Sequence, residues 1–220
     1  MSGKTPKLMP QEARYIVVMD YMILPLDFRD LRYALAKNGY ELASGKNIAP
    51  PPTRIMFSGE IARMKETTVV ADSESSEIGT VSRSLQEAYA SFNDLARVIS
   101  SELDVDLNEK VKRYFVSAHY RVATGKLPLR EIPRAENKEA VAKFSEIMGQ
   151  NLSSFSIRLT PKDASLNQEN WLEIAIEPDL LDESKYHIGI IYRNLEKERT
   201  DMFVRDLESN LLKIIKLIEG

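Results

Sequence analysis

The chain has no cysteine, and this absence excludes several classes of protein at once. Without cysteine there is no disulfide framework, iron–sulfur cluster, cysteine-rich zinc site or thiol nucleophile. The sequence also lacks any run of about 18 apolar residues, and residues 1–11 lack the apolar core of a signal peptide. We therefore expect a soluble, unexported protein of a reducing compartment, the cytoplasm, with no membrane partner.

A strong charge of one sign is also absent. The net charge is -3 over 220 residues, and each half of the chain is slightly acidic, so neither half is a basic arm for nucleic-acid phosphates. The patterns G-x-G-x-x-G, H-E-x-x-H and G-x-S-x-G do not occur. Any histidine-dependent nucleophile must use His119 or His187, the two histidines of the chain. We predict no catalytic residues, no metal ligands and no cofactor.

The apolar pattern of the first half predicts a strand, a helix, three strands and a long helix. Ser84 and Glu87 have the spacing of a capping box and begin the clearest helix, which runs to Leu103. An earlier helix follows Asp27, a residue that favours the N-cap position. The predicted strands are Arg14–Ile23, Arg54–Ala62, Thr67–Asp72 and Ile78–Val81.

The second half repeats this order of elements. One helix contains Val141, Phe144 and Ile147 and ends at Gly149. In the last helix, one face is predicted to be lined by Phe203, Leu207, Leu211, Ile214 and Ile218. The predicted strands are Val111–Val122, Ser153–Thr160, Trp171–Glu177 and Tyr186–Arg193.

These elements predict an α+β protein whose mostly antiparallel sheet is built from two βαβββα-like halves, with helices packed on one face. The halves are residues 14–108 and 109–220, which form one continuous domain after a disordered tail at 1–13. The repeated order indicates an internal duplication. The alternative is a chance repetition, because the two halves are not visibly alike in sequence.

Two successive units of this kind, each ending in a long helix, resemble the saddle of the TATA-binding-protein fold. The resemblance covers residues 14–218 and rests on element order without a shared motif. It implies a concave sheet of the type that binds the DNA minor groove in that family. This chain departs from the family in its acidic balance and in having Glu173 and Glu177 on the expected outer side of the sheet. The function of the family is therefore not carried over.

Strand alternation separates an apolar side of the second-half sheet from a polar side. The polar side collects arginines, both histidines, two glutamates and the only tryptophan. The residues that we select there as candidates for binding a ligand or partner are Arg113, His119, Arg121, Arg158, Trp171, Glu173, His187 and Arg193.

Two interpretations of this side are open. It is either an ordinary solvated sheet face or a recognition surface, in which arginine binds oxyanions, tryptophan is an apolar anchor and histidine makes binding sensitive to pH. An acid–base or single-metal cluster of Glu173, Glu177 and His187 meets a geometric objection. Residues four apart on a strand are separated by roughly 13 Å, so one strand cannot bring both glutamates to one ion.

The last helix has a wider apolar arc than a one-sided helix requires, which indicates either deep burial or a shared interface. Candidate self-association residues on it are Val204, Leu212 and Ile215. Taken together, the sequence predicts a non-enzymatic intracellular binding or assembly protein that binds an unknown protein partner or forms a homodimer. The alternatives are a nucleic-acid-binding module that uses the arginines, which is not favoured, and a small-molecule-binding enzyme or carrier.

Overall fold

The computed structural model describes residues 6–20, 27–43, 58–135, 138–162, 165 and 168–220. Over these residues the chain forms a nine-stranded antiparallel sheet and six α-helices, so the predicted α+β class is confirmed. The strands are β1 (Lys7–Met19), β2 (Glu41–Leu42), β3 (Ser58–Met64), β4 (Thr67–Asp72), β5 (Glu77–Ser82), β6 (Val111–Ala123), β7 (Ile157–Leu159), β8 (Trp171–Asp179) and β9 (Asp182–Asn194).

The helices lie between and after these strands. They are α1 (Phe28–Lys37), α2 (Leu85–Leu103), α3 (Leu107–Lys110), α4 (Pro128–Glu131), α5 (Lys138–Met148) and α6 (Lys197–Glu219). A 3-10 turn at Ile132–Ala135 follows α4. Within the described ranges, no helix combines the length and the apolar character that crossing a membrane requires.

The order of strands across the sheet is β2-β3-β4-β5-β1-β6-β9-β8-β7. Outward from the centre, β1, β5, β4 and β3 follow one another on one side, and β6, β9, β8 and β7 on the other. The central strands β1 and β6 pair antiparallel from Lys7↔Ala123 to Met19↔Val111. As a result, β5 has the same place in the first half of the sheet that β9 has in the second.

One face of this sheet is covered by helices and forms the core. Helix α2 contacts β1 and β5, and α6 contacts β9 and α2. The Ser84 hydroxyl accepts a hydrogen bond from the Glu87 backbone N–H at 3.2 Å, as the capping box predicts. On β6 the residues that point into this core are Tyr114, Val116, Ala118, Tyr120 and Val122, each 4% exposed or less.

Several sequence-based boundaries were wrong. Strand β1 begins at Lys7, so residues 7–13 belong to the sheet and not to a disordered tail. Strand β7 covers 157–159 instead of Ser153–Thr160, and the short helix α4 was not predicted. The parts of two predicted strands at 21–23 and 54–57 lie outside the described residues.

Helix α5 does not pack as its sequence predicts. It ends at Met148, and Gly149 follows with a φ of 63°, in agreement with the predicted stop. Its apolar side chains nevertheless stay outside the core, with Phe144 58% and Ile147 78% exposed. The amphipathic pattern identified the helix correctly, but it could not show whether another element covers the apolar side.

Candidate functional site

The sheet face opposite the helices, which we call the outer face, carries all eight candidate binding residues. Along β6, β8 and β9, buried inward residues alternate with outward residues that are mostly half-buried. The register pairs Arg158 of β7 with Ala175 of β8, which puts Arg158 on the same face. The alternation in the sequence therefore placed Arg113, His119, Arg121, Arg158, Trp171, Glu173, His187 and Arg193 correctly. Their role in binding stays a prediction.

The register places five of these residues at two ends of the outer face, with His119, Arg158 and Glu173 between them. At one end Arg193 of β9 lies between Phe115 of β6 and Trp171 of β8, and Arg113 lies two residues before Phe115. We call these four residues the arginine corner. At the other end His187 lies between Arg121 of β6 and Glu177 of β8.

At the second end, a glutamate and both histidines form a hydrogen-bonded line. The Nδ1 atom of His187 is 3.2 Å from Oε1 of Glu177, and its Nε2 atom is 3.3 Å from Nδ1 of His119. The two imidazole rings are stacked, with an interplanar angle of 13°. When Nδ1–H of His187 donates to Glu177, its Nε2 is an acceptor for the Nδ1–H of His119. Glu177 thereby fixes the orientation of both rings.

The strand position beside the His119 ring carries no side chain. Residue 189, which lies opposite His119 in the register, is glycine, and a Cβ built there would be 3.7 Å from the imidazole ring. Reduced hydration on the sheet lowers the pKa of His119, and the neighbouring His187 and Arg14 lower it further. The carboxylate of Glu12 on β1 acts in the opposite direction. We therefore expect His119 to be mostly neutral at pH 7.

Arg121 is committed to an ion pair within the chain. Its Nε atom is 2.5 Å from Oδ2 of Asp179, whose side chain is 3% exposed. The same carboxylate accepts hydrogen bonds from the backbone N–H groups of Leu181 and Asp182, so it also holds the turn between β8 and β9. Asp179 was missed from the sequence because the residue of β8 in the same row as Arg121 is Glu177, and Asp179 lies two residues further along that strand.

Two further arginines of the outer face are neutralised by carboxylates. The Nε atom of Arg158 is 3.4 Å from Oε1 of Glu173, so these two candidate residues pair with each other. On β1, Nε of Arg14 is 3.0 Å from Oε1 of Glu12. These ion pairs reduce the capacity of both arginines to bind an external anion.

The arginine corner differs from the rest of the outer face. The guanidinium of Arg193 lies over the Trp171 ring, 5.8 Å from its centroid, in a cation–π contact. The Nε atoms of Arg113 and Arg193 are buried and have no hydrogen-bond partner among the described residues. Neither side chain forms an ion pair with any other described residue. In Arg14, Arg121 and Arg158 it is this same Nε atom that meets a carboxylate.

One row of the outer face is apolar across β4, β5, β1 and β6. The row that starts at Val70 of β4 continues through Gly79 of β5 and Ile16 of β1 to Phe115. Ile16 is 7% exposed although it points away from the helices. This row was not predicted from the sequence, because β1 is apolar on both sides and its alternation separates the two faces poorly.

The candidate self-association residues of α6 belong mostly to the core. Val204 is 3% exposed and Ile215 is fully buried, so neither is available to a partner, whereas Leu212 is partly exposed. The buried stripe of α6 is made of Thr200, Val204, Leu207, Leu211 and Ile215. The predicted stripe shared only Leu207 and Leu211 with it. The extra apolar residues of this helix thus cover a wider part of the core.

Two shallow cavities among the described residues lie away from the outer face. One is lined by residues of α5, and the other lies between α1 and the end of α2. Over the same part of the chain, no three His, Asp or Glu side chains are arranged to hold a metal ion. The register also separates Glu173, opposite Ile191, from Glu177, opposite His187.

Comparisons with known proteins add no family to these observations. Neither a scan against protein-family models nor a search of curated proteins gives a match to this chain.

Proposed function

We propose that this protein is a non-enzymatic binding or assembly protein of the cytoplasm that recognises its partner through the outer face. The observation that carries the proposal is the composition of the arginine corner, where Trp171, Phe115 and two arginines free of ion pairs lie side by side. Tryptophan and arginine are the residues most enriched at the energetic centres of protein interfaces. An ordinary solvated sheet face needs neither a half-buried tryptophan nor unpartnered guanidinium groups.

Site-specific photo-crosslinking in cells tests this proposal. A photoreactive amino acid replaces Ile191, which lies on the outer face and is 39% exposed. The matched control replaces Tyr33 of α1, which is 72% exposed on the helical side. We expect a discrete adduct from position 191, absent from position 33, that disappears when Trp171 is changed to Ala. Equal adducts from both positions, or none from position 191, contradict the proposal.

The size of the adduct also identifies the kind of partner. An adduct of twice the mass of the chain means that a second copy is the partner, which makes the protein a homodimer. A nucleic-acid partner is the second candidate function, and the unpaired Arg113 and Arg193 favour it. Binding to phosphates along a nucleic acid must weaken steeply with added salt, so salt-insensitive binding rules it out.

We also propose that the two halves of the chain arose by duplication and share the architecture of the TATA-binding-protein fold. The mirrored strand order around β1 and β6 supports this proposal. The functional proposal does not depend on it, because a fold shared by analogy does not establish a shared activity.

A further inference from the structure

We propose that the arginine corner binds a single phosphate monoester, carried by a phosphorylated side chain of the protein partner. This inference rests on the proposed function and specifies the chemistry that the outer face recognises. Arginine pairs at protein surfaces are a recurrent means of binding phosphorylated side chains.

The arginines on the strands of the outer face differ in the groups that they contact. Arg63 of β3 belongs to this face because its row contains Thr68 and Arg14, and its Nη2 atom is 3.3 Å from Oε2 of Glu60. Arg14, Arg121 and Arg158 each direct Nε to a carboxylate of the chain. In Arg113 and Arg193 the same atom is buried and finds no partner in the part of the chain that the structure describes. These two guanidinium groups therefore carry a positive charge that no described carboxylate neutralises, and an external oxyanion can pair with such a charge.

Arg113 and Arg193, the two arginines without an ion pair to a described residue, lie close to each other. Arg193 is directly opposite Phe115, and Arg113 is two residues from Phe115 on the same strand and the same face. Diagonal neighbours of this kind are about 7–8 Å apart at Cα, close enough for two long side chains to meet at one ligand. A planar carboxylate fills one guanidinium fork, whereas the tetrahedral phosphate has acceptor oxygens for two.

The charge of the surroundings favours a single phosphate over a nucleic-acid chain as the ligand. Carboxylates pair with Arg14, Arg63, Arg121 and Arg158, and Glu77 and Asp72 lie further along the outer face. Within the described residues, the arginines on the strands of this face that have no ion pair are therefore the two of the arginine corner, and the unpaired Lys7 of β1 lies at the opposite end of the face. A polyanion laid across this face would meet these carboxylates, whereas one localised dianion would not.

An apolar surface lies beside the two arginines. Trp171 holds the Arg193 guanidinium in a cation–π contact, and Phe115 lies on the other side of Arg193. These rings keep the guanidinium in place and provide a flat surface for an aromatic ring next to the phosphate. We therefore expect an aryl phosphate to bind more tightly than an alkyl phosphate.

Nuclear magnetic resonance titration of the full chain tests the proposal with defined probes. The probes are N-acetyl-phosphotyrosine amide, N-acetyl-phosphoserine amide, sodium acetate and a 12-nucleotide single-stranded DNA. We expect the Nε–Hε resonances of Arg113 and Arg193 to shift with both phosphate monoesters. Changing either residue to Ala should weaken binding at least tenfold. Arg113→Lys and Arg193→Lys keep the positive charge and the fold but remove the guanidinium fork, so they should also weaken binding. The matched control Arg158→Ala should leave the affinity within twofold.

Three results would overturn the proposal. In the first, neither phosphate monoester shifts these resonances, or binding is the same in the Arg113 and Arg193 variants. In the second, acetate binds as tightly as the phosphates, which makes the corner a carboxylate site. In the third, the DNA binds more tightly than the monoesters and Arg158→Ala weakens it equally, which makes the whole face a nucleic-acid surface. If the photo-crosslink at position 191 persists while phosphate does not bind, the proposed function survives and the phosphate inference fails.

Discussion

Changing Gly79 to Ala should destabilise the protein strongly, because β1 passes unusually close to this residue of β5. A Cβ built at Gly79 would lie 2.3 Å from the Tyr15 carbonyl oxygen and 2.6 Å from Cα of Ile16. Both contacts are with backbone atoms, so rotation of a side chain cannot relieve them. One of the two strands must move, and the Ile16 row of the outer face must move with it.

The equivalent strand of the second half provides the matched control. Gly189 of β9 has no atom closer than 3.7 Å to a built Cβ, so Gly189→Ala fits without rearrangement. Overpacking of a well-packed site costs about 1–3 kcal/mol, and we place Gly79→Ala at about 3 kcal/mol because the clash is with backbone. Removing a glycine from an unstrained strand position stabilises the fold by roughly 0.5–1 kcal/mol, so Gly189→Ala should be neutral or slightly stabilising.

Urea denaturation followed by circular dichroism measures the difference. With a denaturant dependence of about 2 kcal/mol per molar, the midpoint of Gly79→Ala should fall by about 1.5 M relative to wild type. The midpoint of Gly189→Ala should stay level or rise. Equal midpoints for the two variants would refute the close approach of β1 and β5 at this position.

Two further predictions concern the other end of the outer face. Arg121→Met should lower the free energy of unfolding by about 2 kcal/mol, because the buried Asp179 carboxylate loses its cation. Arg158→Met removes an exposed ion pair and should change this free energy by less than about 0.5 kcal/mol. Thermal unfolding of both variants checks the difference, and equal losses of stability would contradict it. The lowered pKa of His119 means that the unfolded chain binds a proton before the folded chain does as the pH falls. The neutral His119 ring therefore contributes stability above a pH of about 6.5, and this contribution is lost as the pH falls through the pKa of the folded state. The free energy of unfolding should thus fall less between pH 7.5 and about 5 in His119→Gln than in the wild type. Identical pH profiles for the variant and wild type would disprove the assignment.

Period-two alternation was sufficient to find the outer face. On β6, β8 and β9 the apolar residues alternate with polar ones, and the structure puts each set on the predicted side. Alternation works there because one side of the strands is buried and the other is not. It failed on β1, where Ile16 is buried on the outer side and apolar residues follow one another.

The pairing of charged residues could not be predicted from the sequence. Whether Arg121 meets an external anion or Asp179 depends on the strand register across β9, and a one-residue shift would reverse every side chain. The same limit applies to α6, where the wide apolar arc indicated either burial or an interface. In the structure, Val204 and Ile215 are buried in the core.

The central pairing of β1 with β6 has a consequence for the order in which the protein folds. Strands β4 and β5, and β8 and β9, are joined by short turns and can form hairpins early, because closing a short loop loses little chain entropy. The β1–β6 pairs, such as Ala13↔Ala118, join positions roughly 100 residues apart and must form late. During synthesis on the ribosome, β1 therefore stays without its central neighbour until β6 has emerged. A nascent chain of this protein exposes an unpaired strand edge for about half the time of its synthesis, and it is during that interval that a chaperone has most to protect.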